Sequence, residues 1–149
     1  MDTPVDYDRG GPVPVPEGLV GWAPEQIEDP RFADGTRVLS LTMHPREGEA
    51  VRVALSRAVH GRWARSYPVG ARDIVLEVVD RGSASDAVAA LGALTSVLLE
   101  QDPRCRRIVA PCPLTDLSLM ALLEEAGFVF VTEVDEADGT HGLMLLGRG

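Results

Sequence analysis

Few side chains in this sequence are equipped for chemistry near neutral pH, and they are scattered. His44, His60 and His141 are the three histidines, the residues whose ordinary pKa lies nearest physiological pH. No two have the spacing of metal ligands, so no metal site is expected. His44 opens a His-Pro-Arg-Glu loop after a strand-like run, where an imidazole facing a cleft would serve as a base. His60 and Trp63 are three residues apart and would be neighbours on one helix. His141 falls in or beside a turn. Cys105 and Cys112 flank the run 106–111 without zinc or thioredoxin-type spacing, and read as free packing thiols. There is no Ser-His-Asp order, P-loop or dinucleotide fingerprint.

Composition sets the frame for these groups. A chain of 149 residues, 45% of them apolar, suits one compact domain with a real core. A net charge of −9 argues against a nucleic-acid partner, which would require cations to neutralise phosphates. All 14 cationic side chains are Arg, with no Lys and no Asn. Both missing residues have AT-rich codons, which points to a GC-rich, actinobacterial-type genome rather than to a task for every Arg. Met1–Gly18 is acidic and proline-rich, without a basic start or an apolar h-region. No apolar run approaches the roughly 18 residues of a membrane span. A cytoplasmic protein with no membrane partner is expected.

The elements that must position these residues follow from periodicity. Residues 1–17, with Pro4, Pro12, Pro14 and Pro16, read as a flexible proline-rich arm. Residues 18–149 read as a single α/β domain. Gly18–Gly35 reads as a packed loop with a helical turn near Pro24–Glu28, and Thr36–Met43 as a strand. From Glu47 to Tyr67, Val51, Leu55, Val59, Trp63 and Tyr67 recur every four residues, the stripe of an amphipathic helix. Asp73–Val79 is a strand apolar on both faces, which suits the centre of a covered sheet. Ala84–Gln101 is a helix with almost no polar side, to be buried widely or partnered by another surface. Arg106–Pro111 is a strand, and Asp116–Ala126 a helix capped by Thr115 and stopped by Gly127. Phe128–Val134 and Gly142–Leu146 are strands joined by a hairpin with an Asp-Gly signal. The alternation predicts a mixed sheet flanked by helices.

Two stretches carry a resemblance. LLEEAGF (Leu122–Phe128) resembles the end-of-helix signature of the Gcn5-related N-acetyltransferase (GNAT) family. RRIVAPCP (Arg106–Pro113), after Asp-Pro, resembles the family's branch that acylates siderophore precursors and aminoglycoside-like amines. The resemblance covers about Asp73–Leu146 and implies a GNAT-like α/β fold, shortened in its N-terminal half by loss of the hairpin before the acyl-CoA strand. It also implies an acyl-CoA cofactor, held between the strands Asp73–Val79 and Arg106–Pro111 at the start of the helix from Ala84. There Arg81, Gly82, Ser83 and Ser85 take the place of the family's glycine-rich cradle, in which backbone amides receive pyrophosphate. Ala84 and Asp86 stand where glycines are usual. The same stretch also reads as an ordinary loop with Ser83 or Ser85 as helix cap.

The resemblance further implies an amine acceptor on a small natural-product or siderophore-type molecule, deprotonated by His44 or by a carboxylate such as Glu77. Asp116, the third catalytic candidate, stands where the family commonly has Asn, and Leu123 where it has a general-acid Tyr. The alternative expectation keeps the fold without catalysis. The chain is then a binding or assembly partner, its apolar helix or sheet edge covered by a protein partner or by a second copy in a homo-oligomer.

Overall fold

The structure is a computed structural model that describes residues 13–29 and 38–148. Seven strands form one sheet: β1 (Trp22–Ile27), β2 (Leu39–Pro45), β3 (Val51–Arg57), β4 (Ile74–Asp80), β5 (Arg107–Pro113), β6 (Val129–Glu136) and β7 (Gly139–Gly147). Their order is β1-β2-β3-β4-β5-β7-β6. Every neighbouring pair is antiparallel except β4–β5. Helix α1 (Ala84–Gln101) makes the crossover between those two parallel strands, and α2 (Leu117–Glu125) follows β5. This is the mixed sheet with flanking helices that the alternation predicts.

The sheet divides the core into two layers. Leu41, Met43, Leu55 and Leu76 pack against Leu91, Leu94 and Leu98 of α1 and Leu123 of α2. α1 therefore buries its apolar surface within its own chain. On the opposite face Val75, Val109 and Leu143 lie under Ala58, Trp63 and Tyr67. Thr95, a polar residue in the buried stripe of α1, donates its hydroxyl to the Leu91 carbonyl at 2.8 Å, so it leaves no polar group unsatisfied.

Two expected elements are corrected. The helix predicted over Glu47–Tyr67 is strand β3, then a 3₁₀ turn at Ala58–His60 and a series of turns. A four-residue recurrence is also two strand periods, so Val51 and Leu55 cannot separate the two states. Val53 can: it is 1% exposed beside Val51 at 0%, and residues two apart lie on opposite sides of a helix but on one face of a strand. His60 and Trp63 are thus not helical neighbours. The ring of Trp63 packs instead on His141, centroids 5.2 Å apart.

The helical turn placed near Pro24–Glu28 is strand β1, paired with β2 from Trp22↔Pro45 to Ile27↔Ser40. β1 is an edge strand, a setting in which Pro24 can sit in a ladder without its missing donor being felt. The hairpin expected to be lost before β4 is present as β2–β3. The N-terminal half is nonetheless short, with only the single 3₁₀ turn among the described residues before β4 counting as helix.

The ends of the elements follow local chemistry. Asp116, not Thr115, caps α2, its carboxylate accepting from the Leu119 amide at 3.1 Å. Gly127 stops the helix with φ of 103°, and the Phe128 amide reaches back to the Leu123 carbonyl at 3.0 Å. That left-handed stop is the one expected of glycine. Of the arm expected over residues 1–17, positions 1–12 lie outside the described residues. From Val13 the chain is docked: Val13 is 2% exposed in the core, and Gln101 bonds to the Pro14 carbonyl and the Glu17 amide.

Candidate functional site

The parallel ladder between β4 and β5 is short. It holds the pairs Ile74↔Ile108 and Val75↔Val109 and then stops. On its other side β4 stays paired with β3 as far as Asp80, and β5 stays paired with β7 as far as Pro113. Pro111 and Pro113 have no amide hydrogen to offer across the seam, so the sequence itself ends the ladder there. An opening is left between the C-terminal halves of two parallel strands, the position where α/β sheets commonly take ligands.

The start of α1 stands at the mouth of this opening. Ser83 caps the helix, its Oγ accepting from the Asp86 amide at 3.2 Å and donating to the Asp86 carboxylate at 2.8 Å. The same carboxylate accepts from the Glu49 amide at 2.9 Å. These bonds, the Glu49 amide first and the Ser83 hydroxyl second, hold Asp86 below the usual carboxylate range despite some desolvation. Gly82 has φ of 57°, and a Cβ there would lie 2.7 Å from the Ala50 carbonyl oxygen. Its amide donates to Asp80. Ser85 is exposed on the first turn, and among the described residues the amides of Ala84 and Ser85 have no acceptor.

Arg81 and Asp116 meet across the opening. They form a two-pronged pair, Nη1–Oδ1 at 3.2 Å and Nη2–Oδ2 at 2.6 Å. The Arg81 hydrogen bond, opposed by desolvation and aided by the Leu119 amide, keeps the Asp116 carboxyl low. Arg81 is raised in turn by the same bond. Beneath them Cys112 is fully buried, and its thiol is pushed up to about 11, by burial first and by Asp116 second. One signal for this pair is present in the sequence: each residue closely follows the C-terminal end of one of two parallel strands.

The remaining predicted site residues lie on the sheet face away from the helices. Glu77 is half-buried on β4, opposite Ala54 of β3, and Ala54 is opposite Ser40 of β2. His44 is four residues along β2 from Ser40, so strand geometry sets it roughly 16 Å from Glu77. Its Nε2 is 2.7 Å from Glu25 on β1, with both side chains about half exposed. A helical turn at Pro24–Glu28 would not bring Glu25 to His44; the β1–β2 ladder does. His141 is 7% exposed in β7, its Nδ1–H directed to the Gly139 carbonyl at 3.2 Å. The structure therefore brings Arg81, Gly82, Ser83, Ser85 and Asp116 to one place, sets Glu77 on the strand bordering it, and leaves His44 apart.

No protein-family model matches the chain, and no curated protein matches its sequence. Solved structures do match its fold. An uncharacterised protein from Bacillus halodurans is similar with a TM-score of 0.68 and 18% identity, over 78% of this chain and 62% of that one. The aminoglycoside acetyltransferase AAC(6')-Ib, solved in complex with acetyl-CoA, gives a TM-score of 0.63 at 19% identity over 74% and 65%. An aminoglycoside N(6')-acetyltransferase from Legionella pneumophila gives 0.61 at 12% identity over 88% and 94%. The chain thus spans less than two thirds of the first two of these proteins. Similarity at such identities establishes the fold, and the fold is that of the GNAT acetyltransferases.

Proposed function

We propose that the chain is an acyl-CoA-dependent N-acyltransferase acting on the amine of a small molecule. One observation carries this reading: the β4–β5 ladder stops after Val75 and Val109, leaving backbone groups of Leu76, Glu77 and Val78 beside an opening that leads to a helix N-terminus. The similarity to proteins solved with acetyl-CoA or coenzyme A supports it. The residues present fit a reduced cradle. The free amides of Ala84 and Ser85 and the Ser85 hydroxyl face an incoming phosphate, and the Asp86 carboxylate opposes it.

When bound, the thioester supplies an activated acyl group. The chain's part is to hold it, to align the amine and to move one proton. Amides of β4 beside the opening polarise the carbonyl as its oxygen gains charge. Glu77, on the same strand, takes the proton from the acceptor ammonium. Asp116 is already committed to Arg81 and to the Leu119 amide, and serves as a positioning residue that ties the start of α2 to the end of β4. Leu123, fully buried in the core, has no proton to give, so the departing thiolate is protonated from solvent.

Thermal unfolding with acetyl-CoA tests the reading. A ligand at about 100 times its dissociation constant stabilises by about 2.7 kcal/mol, a rise of several degrees. With an accepting amine, Glu77→Gln should lower kcat about 10²–10⁴-fold while keeping that rise. No rise with any acyl-CoA would sink the proposal and return the non-catalytic alternative.

A further inference from the structure

At the opposite end of the sheet, where β5 begins and β7 ends, lies a cleft of about 770 Å³ lined by Pro103, Arg104, Arg106, Arg107, Gly147 and Arg148. Four of the 14 arginines of a chain with net charge −9 line this one cavity, and among the described residues no carboxylate does. The two acidic residues behind it are Asp73 and Asp102. Asp73 is fully buried, takes hydrogen bonds from Tyr67 and Gly70, and lies 3.3 Å from Arg107. Asp102 is held by Arg72 at 2.8 Å and by the buried Arg57 at 3.3 Å.

The arginines divide into two kinds. Arg148 is spent on structure, its guanidinium donating to the carbonyls of Leu99 and Asp102 at the C-terminal end of α1 and of Cys105 in the turn after it. Arg107 is fixed by the Pro68 carbonyl, by Asp73 and by the Tyr67 ring 5.2 Å away. Both hold position without losing their charge. Arg106 is exposed, and among the described residues it has no ion pair. A cleft walled by one sign of charge focuses the field and concentrates counter-ions. Guanidinium forks match phosphate oxygens better than a point charge does, and the volume suits a small ligand.

We infer that this cleft is a second binding site, for a small anion carrying several phosphates, one sheet length from the β4–β5 opening. Seven residues of β5 separate the two, roughly 20 Å. Arg106 is the exposed clamp, Arg107 and Arg148 are the fixed floor, and Arg104 adds its charge to the rim. Inorganic tripolyphosphate and a nucleoside triphosphate share the required chemistry, and a comparison of the two tells whether a base adds affinity.

The test is calorimetric titration of the full chain with tripolyphosphate, and then with ATP, at low ionic strength. Binding is expected, with affinity falling steeply as salt rises. Arg106→Gln should weaken it about tenfold, as loss of one charge-assisted contact, and Arg104→Gln should also weaken it. Both side chains are on the surface, so both variants should keep the melting temperature of the parent. Arg81→Gln should leave the affinity unchanged. The inference is overturned by no binding at about millimolar tripolyphosphate, by affinity indifferent to both Arg104→Gln and Arg106→Gln, or by affinity lost in Arg81→Gln, which would place the anion at α1. Acetyl-CoA that displaces tripolyphosphate competitively would also overturn it. Failure here leaves the acyl-CoA reading intact, because that depends on the other end of the sheet.

Discussion

Asp86 is the residue on which the chemistry of the α1 N-terminus turns. A helix start attracts anions through its free amides and its dipole, and here the chain supplies an anion of its own. That carboxylate does two jobs. It takes the Ser83 hydroxyl and the Glu49 amide, and it sits so close to the β2–β3 loop that a Cβ on Gly48 would be 2.6 Å away. The sequence shows a carboxylate where a cradle would want glycine, but not the loop it fastens, since that loop is 37 residues distant. Asp86→Asn separates the roles. The amide oxygen still accepts from Glu49 and the charge is gone, so acetyl-CoA should bind about three- to tenfold more tightly with little change in melting temperature. Titration calorimetry on the two proteins checks this, and unchanged affinity would mean that the phosphates do not approach α1.

Between elements, the β4–α1 connection is where backbone geometry is least replaceable. Gly82 has φ of 57° and faces the Ala50 carbonyl so closely that no side chain fits without moving backbone. Gly82→Ala should therefore destabilise by about 1–3 kcal/mol, read as a lower urea midpoint. A neutral outcome would show that the β3 start yields. The sequence places Gly82 in the candidate cradle, and the structure shows what requires glycine there: a positive φ and the Ala50 carbonyl just before β3. The helices α1 and α2, the strands β4 to β7 and the Gly127 stop were all legible, because each has a local signal that tertiary contacts do not override. β1 and β3 were not. Pro24 argues against a strand until its edge position is known, and the Val51–Tyr67 recurrence fits both periods until Val53 is weighed. Of the candidate site, residues 81–85 and Asp116 stand out separately in the sequence, while the Arg81–Asp116 and His44–Glu25 pairs needed the register.

Across the whole molecule, charge is arranged so that stability should fall at both ends of the pH scale. Asp102 is pushed up by burial, yet the Arg72 hydrogen bond and the charges of Arg72 and Arg57 outweigh that and hold it below its ordinary 3.8. Asp86, Asp116 and Asp138 are lowered as well. A carboxyl lowered by folding binds its proton more readily when unfolded, so its contribution is complete above about pH 5. It is lost as the pH falls from about 4 through the folded values. The thiols behave in the opposite sense. Burial, then Asp102, raises Cys105 from 9.0 to about 11, and burial, then Asp116, does the same for Cys112. Their contribution, at most about 2–3 kcal/mol each, is complete below pH 9 and disappears as the pH rises through about 11. Urea midpoints followed by circular dichroism should therefore form a plateau between about pH 5 and 9 with two falling limbs. Asp102→Asn leaves Arg57, 3% exposed, without its counter-charge. It should cost about 3 kcal/mol on the plateau and flatten the acid limb. Cys105→Ala should flatten the alkaline limb alone. An acid limb as steep in Asp102→Asn as in the parent would show that the Arg57–Asp102–Arg72 cluster, the buried footing of the arginine cleft, is not what acid dismantles.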